Sequence, residues 1–486
     1  MDKSKKIFGN NLSERTYKKA VKTKRKYMKK FGDDSKENYP LKVIQNKTLT
    51  PFIGVENVVI GDKGDTPDFK KGVIVGNIRM GYGHYRISMA IASAANSMGY
   101  TPYWFDLNSF EETTGGKVIN HLNSLYSLGS RLSQKYSLFN KFYWEPLNSK
   151  GFKKLSYNSG DQKTSELMTS VFKNIPKEIP FIATHAWPAQ AAVHAEMKKV
   201  VNVIPDNWPM ALHLAEGSIH TLQTPSSYLG YRTLKGMDGD KVLNPIPEDE
   251  IYYTGHYVDH ELVSNIEVDC KKRLERIKKN KAKRILLTVG GAGAQKEIFE
   301  KIITHLLPSI ERNEAVLYIN IGDHLKVWEN LKKSIPQLEK STTLHWNNWE
   351  ETTDFTENAL NNEISGIHLF YNEDIFPAVY GTNLLMRSSD ILITKPSELS
   401  FYPVPKLLIK RIGGHEKWGA VRASEIGDGS LECETTERSL QMLDLMLKDR
   451  DILTMFNQDI LKARKIGVYN GAYKVVELAV KEENND

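Results

Sequence analysis

GVIVGNIRMGYGHYRISMAIASAANSMGYTPYWFDL, residues 72–107, sets the reading of the whole chain. The run 72–78 is short, apolar and rich in valine and isoleucine, as a strand buried on both faces must be. Residues 79–84 hold two glycines, Gly81 and Gly83, directly before His84. From Tyr85 the chain is dense in small residues up to Gly99, which reads as a closely packed helix stopped by a glycine. TPYWFDL (101–107) is the next strand. Strand, glycine turn, helix and strand make a βαβ unit, and such units build parallel sheets. A glycine turn at that junction lets backbone N–H groups approach a ligand at the helix N-terminus. His84 adds a side chain that can move a proton near neutral pH.

The same grammar continues along the chain. IPFIATHAW (179–187) reads as a strand ending in Thr184 and His185, and KVVNVIPDNW (199–208) as one ending at Asp206. Further strands are expected within 218–228 and 250–258. ELVSNIEVDCKKRLERIKKNKA (261–282) is charged and helical, and reads as a connection between domains. KRILLTVGGAGAQKEIF (283–299) then repeats strand, glycine loop and helix, with Gly290, Gly291 and Gly293 ahead of Gln295. This loop lacks the Lys-Ser/Thr of a Walker A motif and the full G-x-G-x-x-G of a dinucleotide fingerprint. Strands follow at 315–322, 341–346, 390–396 and 406–414, and a helix over about 467–482. The expected fold is α/β, with two Rossmann-like βαβ domains facing a cleft. Its expected parts are a basic N-terminal extension (1–70), a first domain (71–260), a connection (261–282), a second domain (283–466) and a C-terminal helix (467–486).

Composition narrows the class. The chain has 486 residues, 40% of them hydrophobic, enough for more than one core. No apolar run approaches the ~20 residues of a spanning helix, and the N-terminus lacks the apolar centre of a secretion signal. Cys270 and Cys433 have neither metal-ligand spacing nor a disulfide pattern. The expectation is a cytoplasmic protein. Its formal charge of +7 is local: residues 1–30 carry 12 Lys and Arg against Asp2 and Glu14, a net of +10, so the remainder is 7 − 10 = −3. The body shows no basic groove with interleaved aromatics, so nucleic acid is not an expected partner. RTYKKAVKTKRKYMKKF (15–31) has a narrow apolar stripe and lysines elsewhere. Two readings stand: a helix drawn to an anionic membrane surface, or a solvated helix whose stripe packs on the first domain.

The chemistry gathers at strand ends. Thr394, Lys395, Pro396 and Ser397 close one strand, and Glu398 opens a short helix, where a carboxylate can accept hydrogen bonds from vicinal hydroxyls or simply cap the helix. Gly413 and Gly414, then His415 and Glu416, follow the next strand. Two consecutive strand ends of this kind suit one polyhydroxylated ligand at the carboxyl edge of a sheet.

Together these residues resemble the GT-B glycosyltransferases, in particular the group of monogalactosyl- and processive glucosyl-diacylglycerol synthases and the peptidoglycan GlcNAc transferase. The resemblance rests on Gly81-Tyr82-Gly83-His84 with the small-residue helix, Thr184-His185, Asp206, Thr254-Gly255, the turn Gly290 to Gln295, the segment Ile393 to Glu398 and the turn Gly414 to Glu416. It spans about residues 70–430. The basic arm lies outside it, residues 347–389 are longer than the corresponding segment, and Pro396-Ser397 stands where Ala-Gly is frequent. The resemblance implies transfer of a sugar from a UDP-sugar to an acceptor hydroxyl, with a lipid among the acceptors. His84 and Asp206 would be the base candidates. Gly81, Gly83, Thr184 and His185 would stand on the acceptor side. Gly290, Gly291, Gly293, Gln295, Thr394, Lys395, Ser397, Glu398, Gly414, His415 and Glu416 would hold the donor. No metal or other cofactor is expected. Residues 15–31 and the aromatic helix at 122–144 permit a lipid acceptor with peripheral attachment to the inner membrane face, and equally a soluble acceptor with the arm packed on the body. A UDP-sugar epimerase or hydrolase of the same fold, and a non-catalytic sugar-nucleotide-binding protein, are the alternatives.

Overall fold

The computed structural model describes residues 2–62, 64–136, 142, 143, 146, 147, 151–290 and 295–481. Two parallel sheets organise it. The first has eight strands in the order 251–253, 219–222, 200–203, 181–183, 72–77, 101–106, 56–60 and 41–45; every pair is parallel except the last. The second has six parallel strands in the order 342–346, 367–371, 315–322, 283–288, 391–394 and 406–408. The strands 72–77, 283–288 and 315–322 are buried along their whole length, which is why their sequences are continuous apolar runs and not alternating ones. The fold is the expected one, two Rossmann-like α/β domains facing a cleft.

Each sheet has a point where the chain leaves one strand and returns on its other side. In the first sheet it lies between 72–77 and 181–183, and in the second between 283–288 and 391–394. The helices that follow part to opposite faces there, leaving a crevice outside the carboxyl ends of the strands. The glycine turn with His84, and Thr184-His185, stand at the first such point. Gly290 and Lys395 stand at the second.

The residues before position 70 are not a separate arm. Residues 41–45 and 56–60 are an antiparallel pair that extends the first sheet, and the helix Glu14–Phe31 lies on the helix Leu155–Ser165. The expected connection is the helix His260–Lys278. It buries Leu262, Ile266 and Cys270 against Leu286 and Val316 of the second sheet, and so belongs to that domain's core. Within the long segment 347–389, strand 367–371 is inserted between 342–346 and 315–322. The helix Ile375–Ser388 follows, and its Ile375, Val379 and Tyr380 join a core built from Val73, Met89 and Ala92 of the first domain. The last helix, Gly471–Val480, adds Ala472, Val475 and Val476 to that same core, so the chain ends by crossing back. Of the aromatic helix expected at 122–144, the part up to Lys135 is helical; Phe139 lies outside the described residues.

Candidate active site

The first switch point places His84, Thr184 and His185 together. Gly81 has φ +72°, a conformation that favours glycine, and it turns the chain into the helix Gly83–Ser97. His84 sits in the first turn, its Nδ1 2.7 Å from the carbonyl oxygen of Thr184. A carbonyl only accepts, so Nδ1 carries the proton and the lone pair of the neutral ring is on Nε2. Burial lowers the His84 pKa, more than the Thr184 carbonyl and Asp206 raise it. The His185 ring stands edge-on to His84, with centroids 4.9 Å apart, and its Nδ1 accepts the backbone N–H of Trp187 at 3.1 Å. Burial holds His185 well below the ordinary histidine value. It is an interior helix-capping group.

Asp206 follows the strand Val200–Val203. His213 reaches it through Nε2, 3.2 Å from Oδ2. On the other side of the ring, Nδ1 lies 2.7 Å from the Tyr231 hydroxyl, which itself donates to the Trp208 carbonyl at 2.9 Å. Burial alone would raise the Asp206 carboxyl. The His213 hydrogen bond and the nearby His415, His213 and His84 outweigh it, so the group is held below the usual carboxylate range.

The second switch point answers from across the cleft. A Cβ built on Gly290 would lie 3.2 Å from Lys395 Cε, so the glycine gives the lysine its path. Lys395 pairs with Glu416, whose other oxygen accepts the backbone N–H groups of Ile412 (2.8 Å) and Gly413 (3.2 Å). Burial would lower the Lys395 amine, but Glu416, Glu398 and Asp206 hold it above its ordinary value. His415 is half-buried and acts on Asp206 electrostatically. Gly414 is exposed, Ser397 is half-buried, and Thr394 is buried with its carbonyl accepting the Ile409 N–H at 3.0 Å. Gln295 adopts φ +73° at the start of the helix Lys296–Glu311 and donates to the Lys410 carbonyl. Gly291 and Gly293 lie outside the described residues.

Glu398 has a partner that neither reading of it, hydroxyl acceptor or helix cap, foresaw. Its Oε1 is 3.5 Å from Arg86 Nε, and its Oε2 would be 3.4 Å from a Cβ on Gly83. It therefore reaches across the cleft to the glycine turn of the first domain. Arg86 is buried and also donates to the Val379 carbonyl at 3.1 Å and to Asn383 Oδ1, both in the second domain. On the near side of the turn, Tyr82 donates to the Asp323 carboxylate and accepts the Asp323 N–H at 3.0 Å, while Arg79 pairs with the same carboxylate at 2.7 Å. At the far side of the cleft, Asn207 donates to the Trp418 carbonyl at 3.2 Å and the Trp208 and Trp418 rings are 5.5 Å apart. Among the described residues, no three His, Cys, Asp or Glu side chains converge as metal ligands would.

The structure thus brings His84, Asp206, Lys395, Glu398, His415 and Glu416 to one cleft, with His185, expected on the acceptor side, buried behind His84 as a helix cap. Arg86, His213, Tyr231, Tyr82 and Asp323 were not among the expected site residues. Tyr82 lies inside the quoted glycine turn and His213 in the loop that follows Asp206, but nothing in either stretch marked the side chain.

Residues 6–233 match a family described as a domain of unknown function (DUF6937), and residues 246–480 a second such domain (DUF6938). No curated protein matches the sequence. Among solved structures, the chain is similar to the UDP-GlcNAc 2-epimerase of Neisseria meningitidis bound to UDP-GlcNAc (13% identity, TM-score 0.44, covering 85% of this chain and 100% of that one). It is similar to the α,α-trehalose 6-phosphate synthase of Burkholderia multivorans (11%, 0.42, 84% and 98%). It is also similar to the Methanocaldococcus jannaschii UDP-GlcNAc 2-epimerase in complex with UDP-GlcNAc and UDP (13%, 0.40, 84% and 99%). Likenesses this distant assign no activity.

Proposed function

We propose that the protein is a UDP-sugar-dependent glycosyltransferase. The observation that supports this most is the opposition of the two switch points. Neutral His84 and ionised Asp206 stand on one wall, and Lys395 stands with a helix N-terminus on the other. In this reading the acceptor hydroxyl gives its proton to His84 Nε2, and its oxygen bonds to the anomeric carbon of the sugar. The bond from that carbon to the diphosphate breaks, and UDP leaves with the electron pair. Asp206 is too acidic to be an efficient base near pH 7; its negative charge stabilises the imidazolium that forms on His84. The leaving diphosphate takes its charge balance from Lys395 and from the N-terminus of the helix Lys296–Glu311. Lys395 exchanges Glu416 for the diphosphate when the donor binds. Glu416 and Glu398 are the groups on that wall that can accept from sugar or ribose hydroxyls.

A second reading has its own support. Asp206, Glu398 and Glu416 all act on Lys395, so three carboxylates gather in the cleft. Such a set also suits an epimerase or hydrolase working at the sugar ring of the same donor.

Incubation with UDP-sugars separates the two. Transfer predicts UDP release that requires an acceptor. Sugar interconversion, or release independent of acceptor, would favour the second reading. His84→Gln should abolish turnover and spare UDP binding; retained turnover would remove His84 from the chemistry.

A further inference from the structure

The helix Glu14–Phe31 buries Ala20 and Tyr27 against the first domain and turns its charge outward. Eight of its nine Lys and Arg side chains are exposed, and among the described residues none of those eight is in an ion pair; the ninth, Lys24, pairs with Glu166 at 2.6 Å. The C-terminal end of the helix abuts a second helix, Thr114–Lys135. Lys30 Nζ is 3.3 Å from His121 Nε2, and the Phe31 and His121 ring centroids are 5.5 Å apart. His121, Leu125 and Leu128 follow at helical spacing on one face. Leu125 is 49% exposed and Leu128 46%. The cationic helix thus abuts, at its C-terminal end, a helix that exposes two leucines. The apolar residues lie beside the cleft, because Asn123 on the same helix donates to the carbonyl of Arg79 in the glycine turn at 2.8 Å.

We propose that this composite face docks on an anionic lipid bilayer. The inference stands on the surface alone and does not depend on the reaction assigned to the cleft. Cationic side chains next to a charged headgroup layer add attraction one by one, and the leucines enter the boundary between headgroups and acyl chains. Aliphatic side chains at the end of the cationic face favour a bilayer, whose headgroup–acyl boundary takes them up, over nucleic acid, whose bases stack on aromatic ones.

Sedimentation of the full chain with vesicles tests it. The probes are vesicles of phosphatidylcholine alone, vesicles with about a third phosphatidylserine, and a duplex oligonucleotide as competitor. The face predicts binding to the anionic vesicles only, weakening strongly between ~0.1 and ~1 M salt as the Debye length falls from ~10 to ~3 Å. Combined Lys18→Gln, Lys22→Gln, Arg25→Gln and Lys29→Gln should weaken partitioning by about a hundredfold or more. Leu125→Ser with Leu128→Ser should weaken it by about tenfold while leaving some salt-sensitive binding. All six positions are exposed, and unchanged circular dichroism would show that the fold is kept. Failure to bind anionic vesicles, binding indifferent to the four charges, or displacement from vesicles by the oligonucleotide through the same charges would overturn the proposal.

Discussion

Replacing Arg86 by methionine should loosen the two domains from each other. The side chain is 2% exposed and belongs to the first domain, while its partners Val379, Asn383 and Glu398 belong to the second. Methionine keeps most of the aliphatic stem, so lost packing is a small part of the effect. What remains is a carbonyl, an amide oxygen and a carboxylate deprived of their cation. Breaking a buried ion pair from one side costs ~3–5 kcal/mol. The Glu398 side chain is 19% exposed, so water can reach it and the lower end, ~3 kcal/mol, is expected. Asn383 also donates to Asp259 at 3.1 Å, and burial pushes that carboxyl up to about 7, so the disturbance spreads into a second buried acid. Glu398→Gln alone should cost less than that ~3 kcal/mol, because the Arg86 guanidinium keeps its bonds to Val379 and Asn383. Because the two residues touch, the double variant should fall short of the sum by at least ~1 kcal/mol. Urea unfolding of the four proteins, followed by tryptophan fluorescence and circular dichroism, measures this. A loss below ~0.5 kcal/mol for Arg86→Met, or effects that add within ~0.5 kcal/mol, would refute the picture of Arg86 and Glu398 as an interdomain pair.

Gly322 has φ +58°, and a Cβ there would sit 2.3 Å from the Tyr82 hydroxyl. Gly322→Ala should cost ~1–2 kcal/mol from the backbone alone and release Tyr82 from Asp323; an undiminished unfolding midpoint would show that the turn is not docked there. Because burial lowers the His84 pKa, its base form persists below the ordinary value, and the acid limb of kcat/KM for acceptor should have its midpoint below ~6.5; a midpoint above 7 would exclude His84 as the base. Burial also lowers His220, His345 and His368, each to about 4. The folded state binds fewer protons than the unfolded one between those values and ~6.5, so stability is fully present above ~6.5 and is lost as pH falls toward 4. For fully buried His220 alone the loss is on the order of 3 kcal/mol, at ~1.4 kcal/mol for each tenfold change. Unfolding midpoints that are flat between pH 7 and pH 4.5 would contradict it.

Much of the fold was legible because its central strands are buried on both faces. GVIVGN, KRILLT and AVLYINIG could be nothing else, and the glycine turns after two of them marked where the helices begin. The strands 41–45 and 56–60 were not legible. They lie at the sheet's edge, mix Lys, Gln, Glu and Asn with apolar residues, and leave Ile44 44% exposed. Strand 367–371 was hidden for a different reason. Its place between 342–346 and 315–322 depends on where the chain returns, which no local pattern records. At the site, His84, Asp206 and Lys395 were legible because each stands at or near a strand end. Arg86 and Glu398, or Tyr82 and Asp323, meet only when the two domains close, hundreds of positions apart, so composition and periodicity carry no trace of them. The same closure explains why Glu398, read as an acceptor from vicinal hydroxyls or as a helix cap, is paired with an arginine.

The most direct test is calorimetric titration of UDP into the wild type, His84→Gln and Lys395→Gln. The account predicts that wild type and His84→Gln bind UDP with equal affinity and that Lys395→Gln binds at least tenfold more weakly, since only the second wall holds the diphosphate. Absence of UDP binding by the wild type, or equal binding by all three proteins, would contradict it.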